Sequence, residues 1–252
     1  MTQFFPSRCL PVPTITGLAE DSHKGTGEAT SLVVLERVVM IAIKNSAGEI
    51  LVSLEVDSLR GHKFEGLDLS SADLSEMDLS EALFRNCKLA RANCRGANFS
   101  KARIENSVAN GIDFTSADLQ DADLSDIVMK GANLDFVNAK GAQFRHAKLS
   151  NCSFKRAILI RADFNFAELQ ADLSDSDLTG ANLISADLTD ADLRSANLEK
   201  ANMTSANISN TNFKDARMVG SISPNGRVWG VEGPFKHRQK KPWWRMWGNA
   251  AL

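Results

Sequence analysis

Between residues 59 and 218 an apolar or small side chain, most often Leu, returns every five positions with a single one-residue slip, as in SADLTDADLRSANLEKANM, residues 185–203. On an α-helix a step of five turns the side chain by about 140°, so Leu188, Leu193 and Leu198 would scatter around the axis. In a continuous strand an odd step sends successive leucines to opposite faces. Neither regular element fits. The register runs from Phe64 through Leu69, Leu74, Leu79, Leu119, Leu124, Leu134 and Leu149 to Leu169, loses one residue, and resumes at Leu173. It continues through Leu178, Leu183, Leu188, Leu193 and Leu198 to Met218, for 32 units in all. Two positions before the centre, 21 of those units carry Ala. Centre and Ala lie on one side of an extended segment, so these leucines are the expected core and the residue between them faces outward. To keep one interior, the chain must turn at each unit, and about four turns close a coil of roughly 20 residues stacked at ~4.8 Å.

Outward residues 20 apart test that coil length. Asp73, Asn93, Asp113 and Asn133 alternate acid with amide, and so do Asp78, Asn98, Asp118 and Asn138. Stacked like charges repel, so alternation at 20 supports four units per coil and about eight coils. Units such as SADLS, GANLD and TDADL resemble those of the pentapeptide repeat family. The resemblance implies an all-β fold, a right-handed quadrilateral β-helix. Small centres at Ala109 and Ala139, and the residue missing between Leu169 and Ala171, predict underfilled or kinked coils.

Ahead of the repeats, VVMIAIKNSAGEILVSLEV, residues 38–56, reads as a hairpin turning at Asn45 to Gly48, an N-terminal cap spanning 31–58. A helix over 32–44 is the competing reading. Residues 1–30 are rich in Pro, Gly, Ser and Thr and predict a mobile segment. After Met218, a turn at Pro224, Asn225 and Gly226 opens a C-terminal region, 219–252.

Composition adds little chemistry. The chain of 252 residues carries a net charge of −2, with +5 concentrated after residue 218. Cys9, Cys87, Cys94 and Cys152 have no metal-ligand spacing, and the last three fall at inward positions, so free core thiols are expected. His62 is inward and His146 a corner residue, and no nucleophile, phosphate-loop or metal motif is present, so neither an enzyme nor a cofactor is expected. No cleavable signal peptide or membrane-spanning stretch is read, and a cytoplasmic protein, with peripheral membrane association left open, is the default.

Surface residues carry the remaining information. Arg85 to Arg103 and Lys140 to Arg161 hold cations without an acid, whereas Asp163 to Asp192 holds eight acids and no base. Phe136, Ile158, Ile160 and Phe166 are outward apolar residues, read either as scattered or as one docking patch. The tail, PFKHRQKKPWWRMWG, joins Lys240, Lys241 and Arg245 to Trp243, Trp244 and Trp247. It suits an anionic membrane, a nucleic acid or protein partner, or its own coils. The expected function is a noncatalytic scaffold that binds a macromolecule, most simply a protein. Resemblance to acidic, DNA-shaped members of the family makes DNA gyrase the alternative partner, and a membrane-associated or secreted bacterial effector is another. The oligomeric state, a dimer included, stays open.

Overall fold

The computed structural model describes residues 39–230; the mobile segment expected over 1–30 and the basic tail lie outside that range. Strands β1 (Met40–Asn45) and β2 (Ile50–Glu55) pair as an antiparallel hairpin with a bulge between Ile43 and Lys44. Asn45 shapes the turn: its side-chain oxygen accepts the N–H groups of Ala47 and Glu49, both at 3.0 Å, and Gly48 takes φ 85°. The helix reading therefore fails over 40–44, where MIAIK alternates as a strand and buries Ile43 completely. Next come β3 (Lys63–Glu65), β4 (Ala72–Asp73), β5 (Leu83–Arg85) and β6 (Arg103–Glu105). β1 also pairs antiparallel with β4, while β3, β5 and β6 stack parallel, with Phe64 beside Phe84 and Phe84 beside Ile104.

Beyond these strands the coil continues as parallel bridges. They join Asp73 to Asn93, Asn93 to Asp113, and so on from coil to coil as far as Asn202 and Ile222. Each step uses two backbone bonds: Leu89 N–H donates to the Val108 carbonyl at 2.8 Å, and Val108 N–H donates back to Cys87 at 3.2 Å. Four such ladders run side by side, beginning at Asp68, Asp73, Asp78 and Lys63; these are called the first to fourth sides below. The chain is thus a β-helix, with centres and Ala residues from Leu69 to Met203 lining one interior. All fourteen leucines expected in the core are fully buried.

Between sides the chain closes a tight turn. Ala72 N–H donates to the Leu69 carbonyl, and the second residue inside that turn, Ser71, has φ 58°. The left-handed sign is what a type II turn requires, and it recurs at every regular corner. Residues as large as Phe136, Arg156 and Phe166 adopt it, so 24 corners meet it without glycine. The five-residue period is therefore two extended inward positions, the outward one between them, and two turn residues.

The expected kinks are absent. Bridges pass through Val108 and Asn138, beside Ala109 and Ala139, without a change of step, and both alanines are fully buried. Ile112 and Val137, where most units have Ala, return the missing volume. The lost residue at Gln170 shortens one coil by a single position, since Ser153 bridges Asp172 and Glu168 bridges Asp187. Asn151 N–H still donates to the Gln170 carbonyl at 2.8 Å, so pairing crosses the shortened turn.

Candidate interaction surface

Each outward Asp or Asn does local work. Asp73 Oδ1 accepts the N–H of Ser75 at 3.2 Å and its hydroxyl at 2.6 Å; Asp172 and Asp177 do the same with Ser174 and Thr179. The side chain thereby satisfies the N–H that enters the turn, which is why short acceptors fill this position. The alternation has a second cause. Asn93, Asn98, Asn138 and Asn197 donate their amides to Asp73, Asp78, Asp118 and Asp177 one coil earlier, at 3.0 to 3.2 Å. Acid over amide is a hydrogen-bond ladder, which repulsion between acids alone does not explain.

These bonds set the carboxylate affinities. Hydrogen bonds from the Ser75 side chain and backbone hold Asp73 below the ordinary carboxylate range. Burial pushes Asp113 and Asp172 up, but bonds from Thr115 with Arg95, and from Ser174 with Lys155, outweigh it and the net shift is downward.

Charge is arranged in belts. Because the runs of like charge are between about one and one and a half coils long, each encircles the column instead of striping one side. Acids occupy 65–81, cations 85–103, acids 105–126, cations with the single Asp135 130–161, and acids 163–192. Ion pairs tie belts of opposite sign together: Lys88 to Asp68 at 3.4 Å, Arg85 to Glu105 at 3.0 Å, Arg95 to Asp113 at 3.1 Å and Lys155 to Asp172 at 3.2 Å. All are exposed enough for water and salt to weaken them.

The four apolar residues read as one patch are not together. Phe136 occupies the corner between the second and third sides, with the Arg156 guanidinium 5.8 Å from its ring centre. Ile158 is on the third side beside that corner, and half-buried Ile160 lies at the far end of the same side. Phe166, stacked on His146 at 5.2 Å, is one and a half coils beyond Phe136 and so projects from the diagonally opposite corner. Phe136 and Ile158 are neighbours; Phe166 is not part of their surface. Sequence spacing held this answer, because the two phenylalanines are separated by an odd number of half-coils.

Cys87, Cys94 and Cys152 are free and buried, and burial raises all three thiols, Cys152 to about 11. His62 packs edge-on against Phe64 at 4.7 Å. A cavity of about 150 Å³ at the last coil is lined by Ala206, Asn207, Ile208, Ser209, Ser223, Pro224 and Asn225, with no titratable group. Pro224 to Gly226 form the expected turn, whose arms bridge at Ile222 and Val228. Among the described residues no cluster suits a metal ion and no helix is long and apolar enough to cross a membrane. The tail contacts read at Lys240, Lys241, Trp243, Trp244, Arg245 and Trp247 lie outside the described residues.

A dry column of stacked short coils, with outward side chains fixed by their own turns, defines a repeat solenoid of the β-helix class. The chain belongs to the pentapeptide repeat family: a pentapeptide repeat region matches residues 77–151, and pentapeptide repeats match 58–86, 140–170, 169–194 and 186–222. Similar solved structures include HetL from the cyanobacterium Nostoc sp. strain PCC 7120, involved in heterocyst differentiation regulation, at 28% identity over 67% of this chain and 92% of that one, TM-score 0.30. QnrB1, a plasmid-mediated fluoroquinolone resistance protein, is 20% identical over 63% and 83% of the two chains, TM-score 0.44. A pentapeptide repeat protein of the Arabidopsis thaliana thylakoid lumen is 32% identical over 41% and 66%, TM-score 0.20. No curated protein matches the chain.

Proposed function

We infer that this protein is a noncatalytic scaffold that binds another macromolecule through the sides of its coils. The observation that carries the reading is the fixed outward lattice: capped side chains repeat at the coil spacing, and their charges change sign from belt to belt. Such a surface recognises a partner by position along the column, and Asp carboxylates committed to turn N–H groups are poorly placed for acid–base work. The reading includes a right-handed, four-sided helix of about eight coils over 59–218, with the hairpin of 31–58 as N-terminal cap, a C-terminal turn or cap and tail over 219–252, and residues 234–252 separable from the coils. Gyrase as partner is favoured by one feature, the eight acids between Asp163 and Asp192, and is opposed by the basic belts that interrupt a DNA-like potential.

The test is affinity purification with the full chain and with residues 234–252 deleted. Recovery of one partner by both chains supports binding through the coils. Recovery of membrane only by the full chain would assign binding to the tail, and a single polar substitution that abolished activity while sparing binding and stability would overturn the scaffold reading.

A further inference from the structure

The first side departs from the repeat in one place. Its outward ladder reads Asp68, Lys88, Val108, Val128, Lys148, Glu168, Asp187, Asn207. Five successive coils therefore lack the Asp or Asn that caps the turn, whereas the second side lacks it only at Ser153. The loss has a visible trace: with Val128 unable to accept, Lys130 N–H turns to Asn110 Oδ1 of the preceding coil at 2.9 Å. Val108 is 42% exposed and Val128 half-buried, so the exchange of polar caps for apolar side chains leaves part of the Val108–Val128 pair facing solvent. Local rules broken for only partial burial mark positions selected for something else.

The adjoining corner departs as well. Gly111 and Gly131 are the one pair of consecutive stacked corners among the described residues that are both glycine. Backbone conformation does not demand them, since 24 other residues hold the same positive φ. Space does not demand glycine at 131 either, because nothing lies within 4 Å of where its Cβ would be. Together these glycines remove the side-chain wall beside Val108 and Val128.

Resting on the scaffold reading, we propose that Lys88, Val108, Val128 and Lys148, with Gly111 and Gly131 beside them, form the docking surface for an extended acidic segment of a protein partner. Three coil steps separate the lysines, about 14 Å at ~4.8 Å per step. An extended peptide places residues i, i+2 and i+4 on one face over about the same length. Acid, apolar, acid at those positions sets two carboxylates on the lysines and one apolar side chain over the valines. The glycine corner admits the peptide backbone. Lys148 is exposed and has no ion-pair partner among the described residues; Lys88 shares its charge with Asp68. A second copy of this surface would set lysine against lysine, and a polyanion wrapping the coil would meet exposed Asp126 at the other corner.

The probe is a peptide containing Glu-Ser-Val-Ser-Glu between glycine linkers, compared with its isomer Glu-Glu-Ser-Ser-Val, observed by amide NMR shifts of the full chain. The expected result is salt-sensitive perturbation at residues 108, 111, 128 and 131 by the first peptide, at least fivefold weaker for the isomer and lost in the Val108→Asn/Val128→Asn variant. That variant restores the repeat, and its Tm should rise by about 2–4 °C for each kcal/mol of regained capping. No perturbation, equal perturbation by both peptides, displacement by a short DNA duplex, or a lower Tm would each overturn the proposal. A partner recovered equally by wild type and by the double variant would overturn this surface while leaving the scaffold reading in place.

Discussion

Two adjacent residues, Asp123 and Leu124, separate the inside of the column from its outside. Leu124 is fully buried, whereas half-buried Asp123 uses Oδ1 to accept the Ser125 N–H at 3.1 Å and hydroxyl at 2.6 Å. Leu124→Ala should cost about 2–5 kcal/mol, because a closed stack of coils cannot collapse fully onto the vacated volume. Leu124→Asp should cost more, since an unpaired carboxylate would enter an interior lined by apolar side chains. Asp123→Asn keeps the accepting oxygen and should be nearly silent; Asp123→Ala removes the cap and should cost about 1 kcal/mol. Urea unfolding followed by circular dichroism, with amide exchange to detect opening of single coils, reads all four. Equal loss in Leu124→Asp and Asp123→Asn would refute the inward and outward assignment, and a silent Asp123→Ala would refute the capping argument.

Acidification should destabilise the coils. Asp73, Asp113 and Asp172 are depressed when folded, so their contribution is present above the unfolded value near 3.9 and is lost as pH falls through the lower folded values. Ser75→Ala should shrink that loss in a pH titration of stability, and an unchanged acid limb would count against it. Iodoacetamide at pH 8 should leave Cys94 and Cys152 unmodified in the native protein while labelling them in urea, as read by mass spectrometry; labelling faster than global unfolding would contradict their burial. Deleting residues 234–252 should preserve cooperative unfolding, and collapse of the fold would show that the tail completes the last coil.

How much was legible in the sequence depends on whether a residue acts within its own unit or across coils. Leu124 and its equivalents are visible because inward direction follows from the spacing of the leucines alone. The coil length is visible in Asp73 and Asn93, although the bond between them is not, because spacing fixes which residues stack and not whether their side-chain rotamers bring amide and carboxylate within reach. The left-handed corners stayed hidden because glycine, their usual marker, is absent from most of them. Nearness in sequence groups Phe166 with Phe136, whereas position around the column depends on the remainder after division by the coil length. Val108 and Val128 are inconspicuous in the sequence for the same reason: lying one coil apart, they form a pair only within the column of the first side.

The belts also govern what the molecule looks like from afar. Neighbouring rings of opposite sign are between about one and one and a half coils apart, closer than the ~8 Å over which physiological salt screens a charge. Their fields cancel beyond a few ångströms, so an approaching partner is neither drawn in nor driven away and meets individual charges only on contact. Sliding by one belt then exchanges attraction for repulsion, and the column works as a graduated scale on which a complex has one correct height.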